Sequence, residues 1–256
     1  MAAEDSTSAP GGKLQVRVWR TRKDGTSAVD GRAGAFQSFE VPRQESQTVL
    51  DVVTYIQRNL DPSLAYRFAC RVGMCGSCAM TVNDEPRWTC RTHVDAVAAD
   101  GRLDIAPLKN LPVVRDLVTD MREFFDKWAR ALGRFTGAKT RKDDFARVAP
   151  DSPARAEANA AIECIGCGVC YSACDTVSWN PDYLGPAALN RAWTLNRDER
   201  DRAQDERLRA VAGDAGSLAC HTHMSCTERC PKHISPTAGI AGLKREVMRA
   251  AMKGKL

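Results

Sequence analysis

The sequence predicts an α+β fold, in which a domain of strands with one helix precedes a domain made of helices. Two observations predict this order. The N-terminal part alternates apolar and polar residues with the period of strands, and the C-terminal part repeats apolar residues with the period of helices. A third observation locates the chemistry, because all 11 cysteines gather in three groups, one in the first part and two in the second.

The first domain is expected over residues 13–111. Residues 13–20 and 36–41 alternate apolar with polar side chains, which indicates two half-buried strands. Between residues 48 and 60, apolar residues recur at three- and four-residue steps and predict a helix. Further short strands are expected at residues 79–82, 87–90 and 102–106. Two strands, a helix and a cysteine loop between further strands form the order of a plant-type ferredoxin-like domain, a β-grasp fold.

The second domain is expected over residues 112–256 as an α-helical, bacterial-ferredoxin-like domain. Pro112 is placed to open a long amphipathic helix, since proline is tolerated in the first turn of a helix. The apolar stripe of that helix would consist of Val113, Leu117, Met121, Phe124, Trp128 and Leu132. Residues 196–209 carry charges of both signs, which indicates a solvated helix with intrahelical ion pairs.

The composition argues against several classes of protein. The net charge is only +5, and aromatic residues do not interleave with the basic ones as a nucleic-acid surface would need. No apolar run approaches the roughly 18–20 residues of a membrane span. Residues 1–12 are small and polar and lack the basic region and apolar core of a secretory signal, so a disordered tail is expected there.

The first cysteine group has the spacing C-x4-C-x2-C-x11-C, which is typical of a plant-type 2Fe–2S centre. Such a centre needs four thiolates, because two irons share two sulfides and each iron takes two cysteines. Gly73 and Gly76 leave room for backbone N–H groups to approach the sulfurs. The expected ligands are Cys70, Cys75, Cys78 and Cys90.

The second group has the spacing C-x2-C-x2-C-x3-C of bacterial ferredoxins, in which the fourth cysteine ligates the other cluster. The third group ends in Cys-Pro, as such a partner segment does. Crossed ligation therefore predicts a 4Fe–4S cluster on Cys164, Cys167, Cys170 and Cys230. It leaves three thiolates, which suit a 3Fe–4S cluster, on Cys174, Cys220 and Cys226.

Two other uses of these cysteines are open alternatives. A disulfide scaffold needs an oxidising compartment, but the number of cysteines is odd and the chain shows no export signal. A zinc-stapled interaction module would also use CxxC pairs with histidine. Zinc takes isolated sets of four ligands, however, whereas residues 164–174 alone contain four cysteines.

The chain resembles the iron–sulfur subunit of the succinate dehydrogenase and fumarate reductase family, from about Leu14 to Met252. The resemblance lies in the segments YRFACRVGMCGSCAMTVN, ECIGCGVCYSACDTVSWN, GPAALNRAWTLNRDERD and ACHTHMSCTERCPK. It implies an electron-transfer subunit of a succinate:quinone or quinol:fumarate oxidoreductase that does not itself bind the dicarboxylate. It also implies a flavoprotein partner with covalent FAD at the 2Fe–2S end, and membrane-anchor subunits with a quinone at the 3Fe–4S end.

The resemblance implies roles for individual residues and a location. Trp179 falls where an indole approaches the quinone in this family, and His221 falls near the quinone pocket. The alternatives are a helix contact for Trp179 and a hydrogen-bonded helix-start imidazole for His221. The chain is expected to be peripheral, held by its anchor subunits on the cytoplasmic face of the bacterial inner membrane.

Two departures from the family pattern concern the third cluster. Asp175 replaces the proline expected after Cys174; its carboxylate would lower the cluster potential, supply protons or cap a helix. His223 stands midway between Cys220 and Cys226, where a 4Fe–4S cluster would find its fourth ligand, and imidazole can ligate iron. A 4Fe–4S cluster with His223 as extra ligand is therefore the alternative to 3Fe–4S.

An alternative function within the same chemistry is a soluble multi-cluster carrier or an electron-transfer subunit of another flavoenzyme. A stable flavoprotein partner on co-purification distinguishes these functions. Iron content and colour distinguish all of them from a zinc-stapled module, which would be colourless.

Overall fold

The computed structural model describes residues 12–21, 28–29 and 32–256. The tail expected at residues 1–12 lies outside the described residues, except for Gly12. The chain forms two compact units, Met1–Asp120 and Met121–Leu256. The first combines a sheet with short helices and the second consists mainly of helices, so the predicted α+β class is confirmed.

The N-terminal unit is built on a six-stranded sheet. Its strands are β1 (Lys13–Thr21), β2 (Ala28–Val29), β3 (Arg32–Pro42), β4 (Ala79–Val82), β5 (Glu85–Trp88) and β6 (Arg102–Ala106). In the sheet they lie in the order β2-β3-β1-β6-β4-β5. Strand β1 is antiparallel to β3 and parallel to β6. A parallel pair needs a crossover connection, and the chain between β3 and β6 contains both the first helix and the first cysteine group.

Helix α1 (Val49–Tyr55) packs its apolar side against this sheet. A capping box starts the helix: the N–H of Asp51 donates to Thr48 Oγ1 at 3.2 Å, and the N–H of Thr48 donates to Asp51 Oδ2 at 3.0 Å. One π-helical turn (Ile56–Leu60) continues it, so the helix expected at residues 48–60 is confirmed in extent. The core beneath it contains Leu14, Val16, Val18, Val49, Val52, Val53, Leu103 and Ile105.

The long helix expected to begin at Pro112 is wrong in its first part. Residues after Pro112 form a hairpin of β7 (Val113–Arg115) and β8 (Val118–Thr119). The helix begins only at α3 (Arg122–Arg130). The N-terminal unit therefore includes the hairpin of β7 and β8, whose residues were predicted to belong to the helical domain.

A buried aspartate explains the hairpin. The backbone of Asp116 has a φ of +48°, which a helix does not allow. Its carboxylate is 2% exposed and accepts from the backbone N–H groups of Thr21 at 3.0 Å and Ala65 at 2.9 Å. The next residue, Leu117, belongs to the sheet core. These tertiary contacts outweigh the helical period of the local sequence.

The C-terminal unit packs its helices around α7. Besides α3, its helices are α4 (Pro153–Ile162), α5 (Val169–Ser172), α6 (Asp175–Trp179), α7 (Gly185–Asn196), α8 (Gln204–Ala212), α9 (Ser225–Glu228) and α10 (Pro236–Met252). Gly242 shows how closely α10 approaches α7, because a Cβ there would lie 2.4 Å from the indole of Trp193. Across the described stretches of the chain, the structure offers no helix with the length and apolar character of a membrane span.

The expectation of one solvated helix over residues 196–209 is wrong. Helix α7 ends at Asn196 and α8 begins at Gln204. Arg207 and Asp201 have fully buried side chains, and the distance between Nη2 and Oδ2 is 3.0 Å. The guanidinium also donates to the backbone carbonyls of Leu132 at 3.1 Å and Arg134 at 3.2 Å. The ion pair and its hydrogen bonds thus join distant segments of the unit. The local sequence cannot distinguish such an arrangement from ion pairs within one helix.

Candidate iron–sulfur sites

The first cysteine group lies in the loop before β4 and in the short turn after β5. The loop aims backbone N–H groups at sulfur atoms. The N–H groups of Met74 and Cys75 point at Cys70 Sγ with N–S distances of 3.2 and 3.3 Å. The N–H of Cys70 points at Cys75 Sγ at 3.5 Å. Such bonds stabilise negative charge on sulfur and, with a cluster bound, its reduced state.

The structure brings the four predicted thiols of this group together. Cys78 and Cys90 are buried, and the Cys90 thiol contacts that of Cys78 and the backbone N–H of Gly73. Burial raises the pKa of Cys90 to about 11, with the neighbouring Cys78 as the next cause. The backbone N–H of Cys70 is the largest cause that lowers the pKa of exposed Cys75 to about 6. Contacts therefore link all four cysteines around one loop.

Gly73 is required by the shape of the loop. Its φ is +73°, a conformation that side-chain-bearing residues rarely adopt. A Cβ there would lie 2.9 Å from the ring of Trp88. The absence of a side chain therefore lets the backbone N–H reach Cys90.

In the C-terminal unit, four cysteines line a single cavity. These are the predicted 4Fe–4S ligands Cys164, Cys167, Cys170 and Cys230. Gly168, at the N-cap of α5, has a φ of +79° and turns the chain beneath the cavity. The rest of the lining is mostly small or apolar.

Three thiols of this second set are costly to ionise on their own. Burial is the main reason why the pKa of Cys164 is raised and that of Cys167 reaches about 12. Burial also raises the pKa of Cys170, to which the neighbouring thiols add. Thiolates in such a place need a bound cation to offset the loss of water, because buried unpaired charge is unfavourable. The donor set and its burial therefore fit bound iron.

The third set is also brought together. The electrostatic fields of Cys220 and Cys174 both act on Cys226, whose pKa is raised chiefly by burial. Cys226 Sγ lies 3.4 Å from the hydroxyl of Thr237, and the N–H of Thr222 donates to Cys220 Sγ at 3.4 Å. Sulfur here is again surrounded by hydrogen-bond donors, as iron-bound thiolates require.

Among the described residues, none of the three cysteine sets is arranged as a site for a lone metal ion. Within the residues that the structure describes, no three His, Cys, Asp or Glu side chains are grouped so that they could hold one metal ion. The thiols of the second set instead surround a shared cavity. The four thiolates of a 4Fe–4S cluster stand apart in this way because each binds a different iron.

The candidate quinone residues form a row of exposed rings beside the third set. Trp179, the last residue of α6, is 67% exposed. The ring of His223 meets it edge to face, with centroids 5.6 Å apart, and the ring of His221 lies 6.2 Å from that of His223. Sequence inspection found all three residues but not the contact between Trp179 and His223.

The departure at Asp175 has a local role in the backbone. Asp175 is the exposed first residue of α6, and Cys174 occupies the N-cap position without a side-chain capping bond. An acidic residue in the first turn is favourable because of the helix dipole. The structure thus places Asp175 inside the helix start and not at the cap.

Sequence inspection missed two polar residues next to Cys220. Tyr183 is 1% exposed, its hydroxyl donates to the Cys220 sulfur, and burial raises its pKa. Lys244 Nζ donates to the backbone carbonyl of Cys220 at 2.6 Å. Neither residue belongs to a spacing pattern, so no sequence signal marked them.

Comparisons with known families identify two iron–sulfur domains in the chain. Residues 15–126 match the family described as a 2Fe-2S iron-sulfur cluster binding domain, and residues 160–234 match the 4Fe-4S dicluster domain. The chain therefore carries binding domains for 2Fe–2S and 4Fe–4S clusters.

Comparisons with individual proteins reach the same result. The fumarate reductase iron-sulfur subunit of Escherichia coli O157:H7 is 36% identical over 79% of this chain and 82% of its own length. The corresponding subunit of Mycobacterium tuberculosis is 35% identical, over 86% and 89%. The succinate dehydrogenase iron-sulfur subunit of Paracoccus denitrificans is 37% identical, over 77% and 74%.

A solved structure extends the likeness to three dimensions. A chain of the Mycobacterium smegmatis Sdh1 complex in the apo form superimposes with a TM-score of 0.82 and 28% identity, and covers 95% of this chain and 98% of that one. The chain therefore belongs to the family of iron–sulfur subunits of fumarate reductase and succinate dehydrogenase, which transfer electrons within a multi-subunit enzyme.

Proposed function

We propose that this chain relays single electrons through three clusters between a flavoprotein and a membrane quinone. The ligands would be Cys70, Cys75, Cys78 and Cys90 for 2Fe–2S, Cys164, Cys167, Cys170 and Cys230 for 4Fe–4S, and Cys174, Cys220 and Cys226 for 3Fe–4S. The observation that carries this proposal is the separation of all 11 cysteines into three sets whose thiols lie together in space.

The chain's own residues would tune and protect this relay. Each cluster, when bound, supplies a one-electron couple whose potential depends on hydrogen bonds and burial. Backbone N–H groups of Met74 and Cys75 stabilise negative charge at Cys70. Buried Cys170 and the small residues around it keep water from the second set.

A three-thiolate site is favoured for the third set because His223 is engaged elsewhere. Its ring is exposed and packs on Trp179. Ligation of iron by His223 would require the imidazole to leave that contact. The 4Fe–4S alternative is therefore the second candidate for this site.

The two ends of the relay expose different surfaces to partners. Beside the first group, Val72 is 61% exposed and Met74 is 63% exposed, an apolar pair suited to docking on a flavoprotein with covalent FAD. Beside the third set, the exposed ring of Trp179 would approach a quinone held by membrane-anchor subunits, and His221 would donate to a quinone oxygen. The chain would thus sit peripherally on the cytoplasmic face of the inner membrane.

Iron, sulfide and flavin analysis of the anaerobically purified complex tests this proposal. We expect about nine iron atoms and about ten sulfides per chain, and a flavoprotein that co-purifies. Succinate should reduce the visible iron–sulfur absorption through that flavoprotein. Zinc in place of iron, or iron without any flavoprotein partner, would contradict the proposal.

A further inference from the structure

A buried lysine contacts the tyrosine that directly follows Cys170. Lys127 of α3 is 2% exposed, although lysine side chains are almost never fully buried without a partner. Its Nζ donates to the hydroxyl of Tyr171 at 2.8 Å and lies 5.2 Å from the centre of that ring. Tyr171, 1% exposed, directly follows Cys170 in the sequence. The ammonium group is thus held by the residue that directly follows one of the proposed 4Fe–4S ligands in the sequence.

The carboxylate that pairs with this lysine lies on the solvent side. Glu123 Oε1 is 2.9 Å from Lys127 Nζ, but the side chain of Glu123 is 51% exposed. The carboxylate of Glu123 also acts on the Tyr171 hydroxyl, yet its effect on the pKa of Tyr171 is smaller than the opposite effect of Lys127. Water screens an exposed charge far more than a buried one. The pair therefore leaves a net positive potential on its inner side, toward Tyr171.

Packing fixes the tyrosine that carries this contact. The Tyr171 ring meets Phe124 edge to face, with centroids 5.5 Å apart. On another side, a Cβ added at Gly185 would lie 2.8 Å from the ring, so the backbone of α7 closes that direction. Standard bond lengths then put Lys127 Nζ within roughly 13 Å of the Cα of Cys170.

We propose that Lys127 is a positioning residue that, held by Tyr171, raises the reduction potential of the 4Fe–4S cluster. Reduction adds one electron, taken from the neighbouring redox centre, and breaks no bond. A fixed positive charge in a low-dielectric interior stabilises the more negative reduced cluster. The inference rests on the proposed function, because it assumes a cluster on Cys164, Cys167, Cys170 and Cys230.

A potentiometric titration of the intact complex, followed by low-temperature EPR, tests this role. At a fixed ambient potential, Lys127→Met should lower the ratio of reduced to oxidised 4Fe–4S cluster about tenfold, a shift of about 59 mV for one electron. Lys127→Arg keeps the positive charge. Its midpoint potential should therefore differ from that of the wild type by less than a third of that shift. Glu123→Gln removes the screened carboxylate and should shift the potential upward by a smaller amount.

The outcomes separate an electrostatic from a structural role. If Lys127 has only a structural role, Lys127→Met should change the thermal stability and leave the midpoint potential unchanged. That result would overturn the inference. If the Lys127→Met complex does not assemble, Glu123→Gln becomes the decisive variant, because Glu123 is exposed and its replacement should not prevent assembly. An unchanged or lowered midpoint potential of the 4Fe–4S cluster in Glu123→Gln would overturn the inference. A wild-type complex without any 4Fe–4S signal would overturn the proposed function as well.

Discussion

Replacing Arg207 with methionine should destabilise the C-terminal unit by about 3–5 kcal/mol. The guanidinium and the carboxylate of Asp201 are both fully buried, 3.0 Å apart. Without the guanidinium, the carboxylate keeps hydrogen bonds from two backbone N–H groups but loses its only countercharge among its described hydrogen-bond partners. The carbonyl oxygens of Leu132 and Arg134 each lose a donor as well, at about 1–3 kcal/mol for each group left unsatisfied.

Urea denaturation of the anaerobic holoprotein, followed by far-UV circular dichroism, measures this loss. The matched control is Arg249→Met, since Arg249 also pairs with a carboxylate, that of Glu246 at 2.9 Å, but its side chain is 59% exposed. An exposed pair contributes about 0–1 kcal/mol. With a slope of about 2 kcal/mol per molar urea, the midpoint should fall by roughly 1.5–2.5 M for Arg207→Met only. Equal midpoint shifts in the two variants would refute the reasoning.

Three further outcomes are expected. Cys230→Ala should abolish the EPR signal of the 4Fe–4S cluster and spare that of the third cluster, and Cys226→Ala should do the reverse; loss of the third cluster's signal in both variants would disprove crossed ligation. Gly242→Ala should cost roughly 1–3 kcal/mol in urea denaturation, because its Cβ would overlap the indole packed on it; an unchanged midpoint would show that α10 shifts freely. Arg200 holds the pKa of Asp198 well below its usual range. The ionised Asp198 therefore stabilises the folded state at neutral pH, and this contribution is lost as pH falls below about 4. Asp198→Asn should remove that part of the pH profile of stability, and an unaltered profile would contradict the assignment.

Features that depend on short stretches of sequence could be predicted. The strands at residues 13–20 and 102–106 are confirmed because one face of each is buried, and the alternation of side chains records it. The strand at residues 79–82 is confirmed as well, although its residues are buried on both faces. The cysteine groups were visible because ligands on one loop must keep fixed spacings to reach one cluster. The structure brings together the thiols of each predicted set, while their roles as ligands stay predictions.

Features that depend on distant partners could not be predicted. Asp116 lies within the helix that the sequence predicts, and no local pattern shows that the backbone N–H groups of Thr21 and Ala65 donate to its carboxylate. Lys127 is not part of the apolar stripe predicted for its helix, yet its side chain is buried and donates to the hydroxyl of Tyr171. In both cases a buried polar group finds its hydrogen-bond partners in another part of the chain, which no local pattern records.

Low-temperature EPR of the anaerobically purified complex, first oxidised and then reduced with dithionite, tests the three-cluster relay most directly. The three-thiolate site on Cys174, Cys220 and Cys226 predicts a signal in the oxidised sample, since a 3Fe–4S centre is paramagnetic when oxidised. Two further signals should appear on reduction, from the 2Fe–2S and 4Fe–4S centres. Silence in the oxidised sample with three signals on reduction would make His223 a ligand of a second 4Fe–4S cluster. Silence in both states would contradict electron transfer by this chain.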